Sequence, residues 1–272
     1  MFQKIVDFSR YTSVRIGTQL ALNYIESPQD YIALLEQASP QIIGKANNLL
    51  IAPNAKNLCA LSKAFDYIKD LGDSLEVGSA TPSGRLFAYA KRKNLRGFEI
   101  LCGLPGSVGG IIKMNAGLKS YEIQEVLLGI LQLENTAKLG FKNVESLGLS
   151  YRSSEISGLI FAGIFKKQSG FRGDLVEECI KMRKNQPKEP SFGSCFKNPK
   201  GDFAGRLIEA VGLKGVRFGK SKSLCFSEKH ANFLVNLGDS TFEEALELIE
   251  IAKEKVQKEC GITLENEVQI LR

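Results

Sequence analysis

The chain of 272 residues has no tryptophan, one histidine (His230), three methionines and eight prolines. With one histidine, and no Cys-x-x-Cys pair among Cys59, Cys102, Cys179, Cys195, Cys225 and Cys260, there is no basis for a zinc centre. The thiols are too scattered to read as a disulfide framework, and they are expected to be small buried hydrophobes in a reducing compartment. No apolar run approaches the roughly 20 residues of a membrane span, and residues 1–10 lack the continuous apolar core of a secretory signal. A soluble cytoplasmic protein without membrane insertion is therefore expected. Nor is there a large excess of one charge: 36 Lys and Arg against 30 Asp and Glu give a net charge of +6. That balance argues against a nucleic-acid partner, and a mild positive field suits small anionic substrates.

Glycine, in contrast, is abundant, with 26 residues against an average usage of roughly 7%. Apolar residues make up 43%, enough for a sizeable core, and the length suggests about two domains. The glycines concentrate in Gly103-Leu-Pro-Gly-Ser-Val-Gly-Gly110 and Met114-Asn-Ala-Gly117, five in fifteen residues. Such a stretch turns sharply, admits close approach, and can present successive backbone N–H groups as an anion nest for phosphate. It lacks the Lys-Ser/Thr of a P-loop, and Gly103-x-x-Gly106-x-x-Gly109 is not the dinucleotide spacing. Spacing alone leaves both an anion nest and a plain turn between packed elements open.

Along the chain, alternation predicts two short strands within residues 12–25, broken at Gly17, then an amphipathic helix over 31–36 and a buried strand at 41–44. Leu58, Leu61, Ala64, Phe65 and Ile68 recur at helical spacing, predicting a helix over 57–70. A strand at 75–79 follows, and Thr81-Pro82 should open a helix through Lys93. Strands are expected over 126–134 and 159–166, and helices over 173–185 and 202–211, with Pro187 and Pro190 marking a break. Ser240-Thr-Phe-Glu243 reads as a capping box for a helix ending at Gly261, and a last strand is expected over 264–268.

Several of these motifs, in the same order, resemble the UDP-N-acetylenolpyruvoylglucosamine reductases, FAD enzymes of bacterial peptidoglycan precursor synthesis. The similar segments are Thr12-Ser-Val-Arg-Ile-Gly17, Leu-Pro-Gly-Ser-Val-Gly-Gly110 with Met-Asn-Ala-Gly117, Tyr151-Arg152, Gly193-Ser-Cys-Phe-Lys-Asn-Pro199, Ser227-Glu-Lys-His-Ala-Asn-Phe-Leu-Val-Asn236 and Glu265-Asn-Glu-Val268. The resemblance implies an α+β fold: an FAD-binding region of vanillyl-alcohol-oxidase type in two subdomains, 1–55 and 56–170. A smaller α/β substrate-binding domain, 171–272, would follow, its C-terminal strand returning to the active site. It looks like the shorter type, without the extra tyrosine loop, and a monomer is expected.

The resemblance also assigns roles. Gly44, Asn47, Asn48, Gly78, Gly103, Gly106, Ser107, Gly109, Gly110, Asn115, Ala116 and Gly117 would bind FAD, with loop amides brought to the flavin ring or its phosphates. Tyr151, Lys197 and Asn198 would bind UDP-N-acetylglucosamine enolpyruvate. Arg152, Ser194 and Glu267 would be catalytic, with no metal. Hydride would pass from NADPH to FAD to the substrate, and Ser194 would protonate the carbanion-like intermediate to give UDP-N-acetylmuramate. The chain departs from the family at Lys45, Ala46, Lys113, Leu118-Lys119 and Gln269. His230 is left out of the catalytic set, and Lys181, Arg183 and Lys184 fit either a helix C-terminus or a diphosphate. Two alternatives remain: an FAD-dependent oxidase of another hydroxy acid or sugar, and a UDP-sugar-binding module without catalysis.

Overall fold

Leu159–Lys166 is an almost continuous apolar run with buried residues facing both ways, which places it at a sheet centre. In the computed structural model, which describes residues 1–134 and 136–272, it is the middle strand of a five-stranded sheet. The order is Leu139–Asn143, Leu127–Leu133, Leu159–Lys166, Ser74–Gly78, Ile68–Asp70, antiparallel throughout. Helices Ser83–Arg92 and Val108–Lys113 bury Leu86, Ala90, Val108, Ile111 and Ile112 in the same core, where Phe98 meets Phe165 edge-on at 5.6 Å.

This sheet lies in the larger of two units, Met1–Lys4, Leu22–Lys45 and Asn57–Lys184. The same unit holds a parallel pairing of Leu22–Ile25 with Leu58–Leu61, and of the latter with Gln41–Ile42. Helix Pro28–Gln37, opened by a Ser27/Asp30 capping box, packs there through Tyr31 and Leu34 against Ile25, Cys59 and Phe161. Helix Gly173–Arg183 also belongs to this unit: Arg183 donates to the carbonyls of Cys102 (2.9 Å) and Ile100 (3.2 Å).

The smaller unit comprises Ile5–Ala21, Ala46–Lys56 and Asn185–Arg272. Its antiparallel sheet runs Ser191–Ser194, Phe233–Asn236, Leu224–Phe226, with helices Ala204–Ala210 and Phe242–Cys260 closing the core. A short parallel pair joins Leu49–Ile51 to Gln269–Leu271. No helix among the described residues is long and apolar enough to cross a membrane.

Four expectations are corrected. Residues 57–70 are not a helix: Leu58–Leu61 is a strand, Lys63–Phe65 a 3₁₀ turn capped by Ser62, and Ile68–Asp70 another strand. Leu58, Cys59 and Ala60 are buried consecutively because 58–61 has a neighbour on each side, and distant pairing overrides local period. Residues 12–18 bury Val14 and Ile16 without forming a strand, since Arg15 is left-handed (φ 55°) and Gly17 (φ 153°) lies against Phe8. The capping box is Thr241/Glu244, one residue later than expected, with N–H to oxygen distances of 3.2 and 3.0 Å. Residues 264–268 form no strand: Asn266 makes an isolated bridge with Phe196, and the last strand is Gln269–Leu271.

Candidate functional site

In the larger unit, the glycine stretch folds onto the turn after Ser74–Gly78. The N–H groups of Val108 and Gly109 donate to the carbonyls of Thr81 (2.9 Å) and Ser79 (3.0 Å), and Ser83 N–H donates to Gly106 O (3.1 Å). A Cβ at Gly109 would sit 2.9 Å from Ser79 Cβ, and one at Gly44 would sit 2.9 Å from Ser107 Oγ. One at Gly78 would overlap the Phe65 carbonyl at 2.1 Å. These glycines let backbone segments close on one another. Gly106 (φ 131°) differs, because a Cβ there meets nothing within 4 Å and only its conformation demands glycine. Gly103 (φ 67°) packs beside Arg183, and Gly110 faces Ser107 Oγ at van der Waals distance. Ser107 begins helix Val108–Lys113 without capping it through its hydroxyl.

Asn115 and Gly117 act through their carbonyls. The amides of Asn115 and Ala116 are used within the protein, donating to Ile112 O (3.0 Å) and Ile111 O (2.9 Å), and Gly117 pairs with Glu122. The carbonyls of Gly117 (2.7 Å) and Asn115 (3.5 Å) accept from the Arg152 guanidinium, which lies 5.0 Å from the centre of the Tyr151 ring. Arg152 is itself left-handed (φ 54°) within a turn closed by reciprocal Ser150–Ser153 backbone bonds of 3.1 Å. Buried Asn115 ties the turn down, donating through Nδ2 to Ser150 O (3.1 Å) and Glu122 Oε2 (2.8 Å). A strained φ costs of order 1–3 kcal/mol and persists only when its surroundings hold it.

In the smaller unit, Ser194 ends its strand at the rim of a cleft of about 340 Å³ that Asn198, Lys229, His230 and Asn232 also line. The next residue, Cys195, accepts the N–H groups of Glu267 (2.9 Å) and Val268 (3.3 Å) on its carbonyl. Glu267 and Ser194 are thus fixed to adjoining backbone. Asn48 Nδ2 donates to Glu267 O (2.9 Å), and Gln269 N–H returns to Asn48 O (3.0 Å). Asn47 is bound through its carbonyl by Ser13 Oγ (3.0 Å). Lys197 lies 3.6 Å from Glu265, and Asn198 Oδ1 accepts from Ala204 N–H (3.1 Å), beside the start of helix Ala204–Ala210.

Sequence reasoning missed the framework of this cleft. The Asn232 side chain grips both backbone groups of Phe196, accepting its N–H at 3.0 Å and donating to its carbonyl at 2.8 Å. His230 Nδ1 accepts from Asn232 N–H (3.3 Å), burial lowers the imidazole pKa, and the ring lines the cleft. Ser-Glu-Lys-His-Ala-Asn is visible as a motif, but these bonds appear only once residues 195–196 lie beside it. Of the basic series at the end of helix Gly173–Arg183, Arg183 is committed to the Cys102 and Ile100 carbonyls.

Comparison with known proteins covers both units. Residues 186–271 match the family described as UDP-N-acetylenolpyruvoylglucosamine reductase, C-terminal domain. The chain is similar to the UDP-N-acetylenolpyruvoylglucosamine reductase of Helicobacter hepaticus, with 52% identity covering 98% of each chain. Similarity to that of Helicobacter pylori is 49% identity over 100% of both. The crystal structure of UDP-N-acetylenolpyruvylglucosamine reductase from Thermus caldophilus superposes with a TM-score of 0.86 at 31% identity, again over the full length of both chains. Likeness of this degree along almost every residue places the chain in the UDP-N-acetylenolpyruvoylglucosamine reductase family.

Proposed function

We propose that this chain reduces UDP-N-acetylglucosamine enolpyruvate to UDP-N-acetylmuramate in peptidoglycan precursor synthesis, with FAD as cofactor and NADPH as the electron donor. The observation that carries this reading is the shared anchor of Ser194 and Glu267: the Cys195 carbonyl takes the Glu267 N–H, beside a cleft that Ser194 itself lines. A hydroxyl and a carboxyl group far apart in the chain are thereby carried on adjoining backbone.

The larger unit fits a flavin nucleotide on independent grounds. Ser79, 3% exposed, keeps a buried hydroxyl with no partner among the described residues, at the point where the glycine loop crosses its turn. The Gly106 backbone in the same loop has no atom near its Cβ position and is open to close approach. Ser79, Gly106, Ser107, Gly109 and Gly110 would hold the cofactor there, within a region of vanillyl-alcohol-oxidase type. When bound, FAD supplies the hydride that NADPH provides.

The remaining chemistry belongs to side chains of this protein. Arg152, held by the carbonyls of Asn115 and Gly117, pairs with the substrate carboxylate and stabilises the negative charge that develops as the enol ether is reduced. Glu267, in the smaller unit beside Ser194, contributes a carboxyl group that hydrogen-bonds the enolpyruvyl moiety. Ser194 donates its hydroxyl proton to the carbon next to that carboxylate, completing the lactyl ether. Tyr151, Lys197, Asn198 and the cleft around His230 bind the nucleotide sugar.

Ser194→Ala tests this assignment. Followed anaerobically, NADPH should bleach the variant's visible absorbance as it does in the wild type. Recolouring by the enolpyruvyl UDP-sugar should slow by about 10²–10⁴-fold, the usual contribution of general acid catalysis. Unchanged recolouring, or failure of the bleaching step, refutes the role of Ser194.

A further inference from the structure

Lys113 ends helix Val108–Lys113, where a lysine ordinarily does no more than extend into water beside the C-terminal carbonyls. Its ammonium instead turns back to donate a 2.6 Å hydrogen bond to the carbonyl of Ile156, and its sheltered surroundings lower its pKa. The contact is reciprocated: Ser154 Oγ donates to the Lys113 carbonyl at 2.7 Å. These two bonds fasten the far side of the turn bearing Arg152, and Asn115 fastens the near side through Ser150 O at 3.1 Å. Arg152, left-handed, lies between the two anchors, and its guanidinium rests on carbonyls of the same 113–117 segment.

We propose that Lys113 is a positioning residue that acts through Arg152, strapping the turn over 150–156 to the end of the glycine-loop helix so that the guanidinium keeps its aim. The inference rests on the reading that Arg152 meets the substrate carboxylate. The cross-brace needs a donor able to span from a helix terminus to the Ile156 carbonyl, which a small or apolar residue at 113 cannot supply. An arginine can supply it.

The test compares Lys113→Met, which keeps the aliphatic stem and removes the donor, with Lys113→Arg, which restores one. Both are studied as flavin-loaded protein in the separate bleaching and recolouring steps. A misplacement of about 1 Å at a reacting centre costs up to about 10²-fold in rate. Lys113→Met is therefore expected to bleach with NADPH at the wild-type rate. Its maximal recolouring rate should drop about 10- to 100-fold, with a much smaller change in half-saturating substrate. Lys113→Arg should recover most of that loss. A readout independent of turnover is the ¹⁵N–¹H signal of the Arg152 guanidinium, assigned by its disappearance in Arg152→Lys: sharp in wild type and Lys113→Arg, broadened in Lys113→Met.

Unchanged recolouring and an unchanged signal in Lys113→Met, while Arg152→Ala loses recolouring, overturn the role of Lys113 and leave that of Arg152 intact. Recolouring of Arg152→Ala at the wild-type rate overturns the reading of Arg152 itself. Should Lys113→Met fail to fold, Lys113→Leu, which likewise removes the donor to the Ile156 carbonyl, is expected to slow recolouring by about 10- to 100-fold with bleaching unchanged. No slowing in that variant overturns the proposal.

Discussion

Truncating Asn232 to alanine should loosen the framework that carries Ser194. Its side chain is 3% exposed and pairs with both backbone groups of Phe196, itself fully buried. Removing it leaves a buried N–H and a buried carbonyl without partners, each costing about 1–3 kcal/mol. Asn232 also lines the cleft, so water can reach part of the space, and the expected loss is about 2–4 kcal/mol. The Cys195 N–H bond to the Asn232 carbonyl, at 2.7 Å, is a backbone contact and survives. Asn232→Asp sharpens the test: it still accepts from Phe196 N–H, but at pH 7 it sets a carboxylate oxygen against the Phe196 carbonyl, so it should be no more stable than the alanine variant. With no tryptophan in the chain, urea unfolding followed by far-ultraviolet circular dichroism is the appropriate assay. An Asn232→Ala variant within about 0.5 kcal/mol of wild type, the range of an indifferent surface change, would refute the reasoning.

Further outcomes follow from the same contacts. Gly78→Ala forces a Cβ to 2.1 Å from the Phe65 carbonyl, where backbone must move, and should destabilise by about 3 kcal/mol, measured as a lowered urea midpoint. Gly106→Ala meets no atom but must hold φ near 131°, so it should cost about 1–2 kcal/mol in the same assay. Glu99 is fully buried, and although burial works to raise its pKa, the bonds from Arg172 and from Gly97 N–H prevail and hold it below the ordinary carboxylate value. A folded pKa below the unfolded value of about 4.3 means stability that is present above that pH and lost as pH falls through the folded pKa. The stability gap between wild type and Glu99→Gln should therefore narrow from pH 5 downwards in urea titrations, and a constant gap would contradict it.

What was legible in the sequence was whatever is settled by neighbours in the chain. The helix Phe242–Cys260 announces itself by cap, periodic apolar face and terminal Gly261, and misplacing its cap by one residue reflects two adjacent hydroxyls of equal promise. Strand Leu159–Lys166 is visible as an apolar run. Leu58–Leu61 was not, because its spacing also suits a helix, and the strands on each side that decide the matter lie elsewhere in the chain. Among the proposed site residues, Ser194, Arg152 and Glu267 could be singled out only through family likeness, since a serine, an arginine and a glutamate in polar segments carry no period. The bonds that hold them were out of reach. Glu267 depends on the Cys195 carbonyl, Arg152 on those of Asn115 and Gly117, and the segment beside Ser194 on Asn232. Lys113 stood out as a departure from the family, but its partner, Ile156 O, belongs to the fold.

The most direct measurement is the visible absorption spectrum of the purified wild-type protein, followed anaerobically through addition of NADPH and then of UDP-N-acetylglucosamine enolpyruvate. The account predicts a yellow protein that bleaches with NADPH and recolours with the enolpyruvyl substrate as UDP-N-acetylmuramate forms. A protein that stays colourless after incubation with FAD, or one that bleaches and does not recolour, would contradict it.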